Sequence, residues 1–585
     1  MVIFGNPKNV QMRIRSLSVI ILFIYLLSGC TPKEGLNIYV TTDLHGMLLP
    51  FDNTEGKATD RSLANLASVV KAEGSNNIIL LDNGDILQGD PLTYYYNFID
   101  TTREHVVADI LNYLHYDAAT AGNHDIETGH AVYDRVRREY DFPLMAANAV
   151  DIRTGKPYFE PYTIIRKKGM KIIVFGLITP SVPNWLPESL YHSIRFEDMV
   201  RTARKWMPVM LKEKPDLIVG LFHSGLGNED EKGDDENSSL AVAVNVPGFD
   251  LIFCGHDHSQ DIREIENNEG KKVLLIDGGS RAEVLMQANI PLHEKKDGNG
   301  GCKITGRLIE MNTLPPSAAF IKKYKSVSDT LKEYTAEIIG RSNATVTTRD
   351  AFFGPSGFVD LIHRIQLDIS GADISLAAPL SFDEQIREGD IRIRDMFRLY
   401  RFENFLYTVK MTGREVDRHL EHSYGLWFDT MNDRNDYLLR YRYNENGDPV
   451  MVNGTLRLRS ASYNFDSAMG IRYTVDVTRP EGARVTITAM SDGAPFYPDN
   501  TYTVAVNSYR ANGGGGHFAA AGITHSMLPS RVISATERDL RYYMTEWIRN
   551  KGTITPVPLS EWSIIPAEWA SAAVRREKKM LFGNN

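Results

Sequence analysis

The 585-residue chain holds only three cysteines, Cys30, Cys254 and Cys302. Three thiols spaced this far apart make no disulfide framework, so the fold must rest on a hydrophobic core. Cys254 ends the apolar run that begins at Leu251, which reads as a buried free thiol. Long hydrophobic stretches are also missing. The one apolar run near the start, Val19 to Leu27, falls short of the roughly 20 residues that cross a bilayer. Positive charge is not in excess either, with 65 Lys and Arg against 74 Asp and Glu. The formal net charge is −9 and no basic stripe runs along any segment, which argues against a nucleic-acid polymer as ligand. No internal repeat is visible.

What is present is ordinary globular composition, 43% apolar and 24% charged, over a length that implies more than one domain. Arg13 and Arg15 precede the short apolar run, which ends in Leu27-Ser28-Gly29-Cys30. That arrangement reads as an export signal. The Leu-Ser-Gly-Cys end resembles a bacterial lipobox. The resemblance implies cleavage before Cys30, a lipid on its thiol, and an exported lipoprotein on the periplasmic or cell-surface side, tied to the membrane only through that anchor.

The mature part opens with Ile38-Tyr39-Val40-Thr41-Thr42, a β-branched and aromatic run that predicts a strand. It ends in Asp43-x-His45-Gly46, a carboxylate and an imidazole able to reach one metal ion. Four later segments repeat the design: Leu80-Leu81-Asp82-Asn83-Gly84-Asp85, Gly122-Asn123-His124-Asp125, Leu221-Phe222-His223-Ser224-Gly225, and Cys254-Gly255-His256-Asp257-His258. A lone histidine at a strand end is ordinarily a satisfied surface or core residue, and Asn123 and Asp125 could each simply cap a turn. Five blocks of one design are not explained that way. Their hard oxygen and borderline nitrogen donors suit divalent ions such as Mn, Zn or Co. Seven donors exceed the needs of one ion and suit two.

In order and spacing the five blocks resemble the calcineurin-like metallophosphoesterases, and more narrowly the 5'-nucleotidase and 2',3'-cyclic-nucleotide 2'-phosphodiesterase/3'-nucleotidase family. The resemblance implies a dimetal centre with Asp43, His45, Asp85 and His258 on one ion and Asp85, Asn123, His223 and His256 on the other, Asp85 bridging. Two such ions, about 3.5–4 Å apart, can hold a bridging hydroxide and clamp both oxygens of an in-line displacement at phosphorus. The family more often has Gln at the position of His258. His124 is implied as the residue that stabilises the phosphoryl transition state or protonates the leaving oxygen. Glu127, where relatives more often carry Asp, would orient it.

Strands alternate with helices up to about residue 317, which predicts α/β layers with donors at strand ends. The expected fold is an N-terminal calcineurin-like α/β sandwich followed by a C-terminal α/β 5'-nucleotidase-type domain. The expected bounds are a signal peptide over 1–30, the metallophosphatase domain over 31–317, a linking helix within 318–344, the second domain over 345–555 and a tail over 556–585. The second domain shows no donor cluster. Phe402, in Arg401-Phe402-Glu403-Asn404, and Tyr509, before the glycine loop that contains Gly513 and Gly514, would be core residues in most chains. By resemblance they are the two aromatics that sandwich a nucleobase, with Asn404 bonding the nucleoside and the glycines allowing close approach.

One departure separates branches of the family. The 5'-nucleotidase pattern carries a Gly-Gly-x-Arg segment before the Gly389-Asp390-Ile391 turn, and here the region reads Ser381-Phe382-Asp383-Glu384. The expectation is therefore a 2',3'-cyclic-nucleotide phosphodiesterase/3'-nucleotidase acting on small nucleotides. The alternative within the class is a 5'-nucleotidase or UDP-sugar hydrolase. A surface nucleotide-binding protein without turnover is the reading from another class.

Overall fold

The computed structural model describes residues 35–229, 233, 235–292, 304–444, 446–452 and 455–583. The expected export signal, Cys30, Cys302 and residues 230–232 and 234 lie outside them.

The first domain is built on two six-stranded sheets packed face to face. We number their strands β1 (Gly35–Thr41), β2 (Ile78–Asp82), β3 (Ala118–Thr120), β4 (Leu144–Met145), β5 (Tyr162–Lys167), β6 (Met170–Ile178), β7 (Leu217–His223), β8 (Leu251–Cys254), β9 (Gln260–Glu266), β10 (Lys272–Gly278), β11 (Val284–Pro291) and β12 (Thr305–Glu310). The first sheet runs β12-β11-β1-β2-β3-β4 and the second β9-β10-β8-β7-β6-β5. In each sheet the central strands are parallel and an edge is antiparallel.

Alternation along the strands explains the layering. Leu36, Ile38 and Val40 of β1, with Ile79 and Leu81 of β2, meet Val219, Leu221 and Phe253 of the second sheet in a core between the sheets. Tyr39, Ile78 and Leu80 point the other way, onto helices α1 (Leu63–Glu73) and α2 (Val106–Leu114). Phe175, Phe222 and Ile252 likewise pack outward on helix α3 (Met199–Lys212). Strands covered on both faces need continuous apolar runs, which is what the sequence supplies. Ser62 caps α1, its hydroxyl accepting from the Ala64 amide.

Where one linking helix was expected, two short ones stand, Ala318–Lys323 and Lys325–Ala336, separated at Tyr324, whose ring is buried against the first domain. The second domain centres on a five-stranded sheet. Its strands are β13 (Ile374–Ala377), β14 (Leu406–Thr412), β15 (Ser467–Met469), β16 (Thr501–Asn507) and β17 (Val532–Ala535), in the order β15-β13-β16-β14-β17. Residues after 556 join this domain's core. The strand Trp562–Ile565 pairs with Ile471–Asp476, and Ala573 and Leu581 of the last helix are buried beside Trp427.

The domains share a seam. Tyr94 of the first domain is buried in an apolar cluster of the second, its hydroxyl donating to Asp539 at 2.9 Å and its ring 5.5 Å from that of Phe397. The Arg541 guanidinium lies over both rings.

Candidate dimetal active site

All five blocks leave the C-terminal ends of parallel strands and converge. Asp43 and His45 follow β1, Asp85 follows β2, Asn123 follows β3, His223 ends β7, and His256 and His258 follow β8. This is where ligands bind in α/β sheets, because successive parallel strands direct their exit loops to the same edge. The donor atoms of Asp43, His45 and His258 lie within 4.8 Å of one another, as do those of Asp85, His223 and His256. Asn123 Oδ1 is 3.1 Å from His223 Nε2. The seven expected donors thus form one pocket, in two groups.

The loops reach it through unusual backbone. Five of the twelve non-glycine residues with positive φ among the described residues are Asp43, His45, Asp85, His256 and His258. Left-handed backbone costs an ordinary residue free energy, and strain of this kind gathers at functional sites. Two glycines make the crowding tolerable. A Cβ on Gly84, at φ +85°, would stand 2.5 Å from the Gly122 amide nitrogen, and one on Gly122 would stand 2.2 Å from Asp85 Oδ1. Asp125 ties these loops together, accepting from the amides of Asp85, Ile86, Leu87 and Gly122 at 2.8–3.0 Å. Asp82 has a similar role, accepting from the Thr41 hydroxyl and the Gly84 amide.

Hydrogen bonds behind the donors decide what they present. The Nδ1–H of His45 donates to the Gln88 carbonyl at 3.1 Å and that of His223 to the Asn83 carbonyl at 2.7 Å. Each ring therefore directs its Nε2 inward, the usual way a second partner orients a metal-binding histidine. There the donor atoms crowd together. His45 Nε2 is 3.0 Å from His258 Nε2, and His223 Nε2 is 3.2 Å from Asp85 Oδ2. Such a cluster requires positive charge at its centre. Burial alone would strip a proton from His223, yet the Asp85 and Asp43 carboxylates outweigh it and lift the pKa to about 10. Burial opposes ionisation of Asp85, but His223 and His124 hold its carboxyl well below the usual range. Burial pushes His45 and His258 down, which keeps their lone pairs free. The ionised Asp85 and the neutral His45 and His258 are in the donor states that a divalent cation needs, and a cation beside Asp85 would take the place of the proton that His223 holds there. These residues fit the ions the resemblance implies.

His124 stands beside the donors, its ring centroid 5.4 Å from that of His45. Its amide donates to Asp85 Oδ1 at 2.8 Å and its Nδ1 lies 2.5 Å from Glu127. Burial would lower its pKa, but Asp85 and Glu127 prevail and raise it to about 9.

In the second domain Phe402 and Tyr509 are half-buried, with Tyr463 edge-on to both. The glycine loop passes beneath Tyr509, so that a Cβ on Gly514 would stand 2.4 Å from the ring. Gly513, at φ +111°, approaches the Asn184 carbonyl of the first domain. Asn404 is buried, its amide within 3.5 Å of the Tyr400 and Ser508 hydroxyls. Two residues escape a reading by motif. Glu236 places Oε1 3.1 Å from His256 Nε2. Trp185 packs 5.4 Å from the His256 ring. Neither lies beside a donor in sequence, so no spacing signals them.

The fold and this site define a two-domain metallophosphoesterase. Residues 36–260 match the calcineurin-like phosphoesterase family, and residues 337–522 match the 5'-nucleotidase C-terminal domain. The chain is 28% identical to a 2',3'-cyclic-nucleotide 2'-phosphodiesterase/3'-nucleotidase of Salmonella typhimurium, over 91% of this chain and 89% of that one. It is 27% identical to the trifunctional nucleotide phosphoesterase protein YfkN of Bacillus subtilis, over 93% of this chain but only 40% of the longer Bacillus protein. In three dimensions it resembles a Staphylococcus aureus protein crystallised with alpha-ketoglutarate, with a TM-score of 0.74, 21% identity, and 91% and 99% of the two chains covered.

Proposed function

We propose that the protein hydrolyses nucleotide phosphate esters, with 2',3'-cyclic nucleotides and 3'-nucleotides as substrates. The observation that carries this reading is the convergence of the seven donors in one site. Asp43, His45, Asp85 and His258 would hold one divalent ion, and Asp85, Asn123, His223 and His256 the other. When bound, the two ions supply Lewis-acid stabilisation of phosphoryl oxygens and an activated water. The chain's own groups do the rest. Phe402 and Tyr509 stack the base, and Glu127 holds Nδ1 of His124 so that its Nε2–H faces outward. That proton goes to the departing ribose oxygen. With a cyclic ester the 2'-oxygen leaves and a 3'-phosphate remains; in a second passage the 3'-oxygen leaves and inorganic phosphate is released. The choice between branches is supported by Ser381 to Glu384, which lack the arginine of the 5'-nucleotidase pattern.

Purified protein supplied with Mn and offered 2',3'-cyclic AMP, 3'-AMP and 5'-AMP tests the reading. Higher kcat/KM on the first two is expected, and a strong preference for 5'-AMP overturns it in favour of a 5'-nucleotidase. Export and lipidation at Cys30 belong to the same proposal. Among the described residues no helix is long and apolar enough to cross a membrane. Mass spectrometry of the mature N-terminus from cells is expected to find an acylated Cys30, and an unmodified terminus sinks the anchor.

A further inference from the structure

The two rings expected to grip a base are not alone. Tyr463 sits on a short turn, Ser462–Asn464, far in sequence from both. Its ring centroid is 6.0 Å from Phe402 at an interplanar angle of 85°, and 6.2 Å from Tyr509 at 90°. The residue is 37% exposed, and its hydroxyl bonds no described residue. A tyrosine combines an apolar body with a polar tip. Burial raises its hydroxyl pKa, and Glu236 of the first domain adds to the rise.

The turn is also locked to the residue next to Tyr509. Arg510, 1% exposed, holds Asp466 with Nε at 2.8 Å and Nη2 at 3.0 Å. The same guanidinium donates to the Tyr463 carbonyl at 2.7 Å and to the Gly514 carbonyl at 2.5 Å. His517 adds a bond from Nε2 to the Asn464 carbonyl at 3.0 Å. One buried arginine thus fixes the backbone under Tyr463 relative to the glycine loop under Tyr509. A slot whose walls are set before the ligand arrives loses less entropy on binding.

Building on the nucleotide reading above, we propose that Tyr463 is a third wall of the base slot, meeting the edge of a purine or pyrimidine whose faces lie on Phe402 and Tyr509. Its free hydroxyl then faces the polar atoms of that edge.

The test compares wild-type enzyme with Tyr463→Ala and Tyr463→Phe on 3'-AMP and on 2-glycerol phosphate, an ester without a base. Tyr463→Ala is expected to raise KM for 3'-AMP by about three- to tenfold, the size of one edge-to-face aromatic contact, with kcat changed less than twofold. Tyr463→Phe is expected to restore most of the lost affinity. Neither change should affect 2-glycerol phosphate, and metal content and melting temperature should match wild type. An unchanged KM in Tyr463→Ala places the ring outside the slot, and a lower KM makes it an obstruction; either overturns the proposal. If wild type shows no advantage for 3'-AMP over 2-glycerol phosphate, the nucleotide reading itself falls and the third wall falls with it.

Discussion

The Glu127 carboxylate lies 2.5 Å from Nδ1 of His124, fixing which ring nitrogen faces the pocket. This pairing gives the first prediction. His124→Ala is expected to lower kcat by about 10²- to 10⁴-fold, the usual worth of a positioned acid, with two metal equivalents retained. Glu127→Gln should fall between that variant and wild type. Metal analysis beside steady-state kinetics checks both. Loss of metal from His124→Ala would show that the ring holds a cation and that its assigned role is wrong.

Asp85 lies with the His223 and His256 donors, while its Oδ1 takes the His124 amide. As the proposed bridge it serves both ions. Asp85→Ala is expected to abolish turnover and leave less than one equivalent of metal, measured by plasma mass spectrometry after gel filtration. A variant that keeps both equivalents and its activity removes the bridge from Asp85.

Gly514 touches the underside of the Tyr509 ring, where a methyl group has no room. Gly514→Ala should therefore tilt the ring and weaken stacking. One stacked base is worth about 1–3 kcal/mol, which corresponds to a rise of roughly five- to 150-fold in KM for 3'-AMP. Turnover of 2-glycerol phosphate should not change. Equal losses on the two esters would point to a general disturbance of the domain instead.

His363 lies in the core of the second domain, 1% exposed, between the Ser375 and Ser467 hydroxyls at 2.9 and 3.1 Å. Burial lowers its pKa to about 3. The unfolded chain takes up this proton near pH 6.5 and the folded chain does not, so its share of stability is whole above that pH and drains away as pH falls toward 3. Between pH 7 and pH 5 the loss is about 2 kcal/mol. His363→Asn is expected to flatten this acid arm in urea unfolding followed at both pH values. An arm as steep as that of wild type would mean that other groups carry it.

The donor cluster was readable because its residues follow the ends of five strands, where continuous apolar runs give way to polar residues and glycine. Hydrophobic patterning located β1, β2, β7 and β8, and chemistry at their ends did the rest. Glu236 and Trp185 were not readable, since their approach to His256 depends on how separate loops fold back. The second domain was harder for a related reason. Phe402 and Tyr509 look like core aromatics in any window, and the edge-on packing of Tyr463 arises from a turn held by Arg510 and His517, both distant in sequence. The break at Tyr324 escaped notice because the amphipathic pattern runs through it; burial of that ring on the first domain, not local propensity, divides the helix.

The stretch from Gln88 to Tyr94 binds two distant features together. The Gln88 carbonyl takes the Nδ1–H of His45 and the Asp90 amide donates to the His45 carbonyl, while Tyr94 is seated between Phe397 and Asp539 of the other domain. A few residues of backbone therefore act as a lever arm. Any swing of one domain against the other tugs at the imidazole of His45, so the rigidity of the seam and the alignment of the catalytic pocket are a single mechanical property.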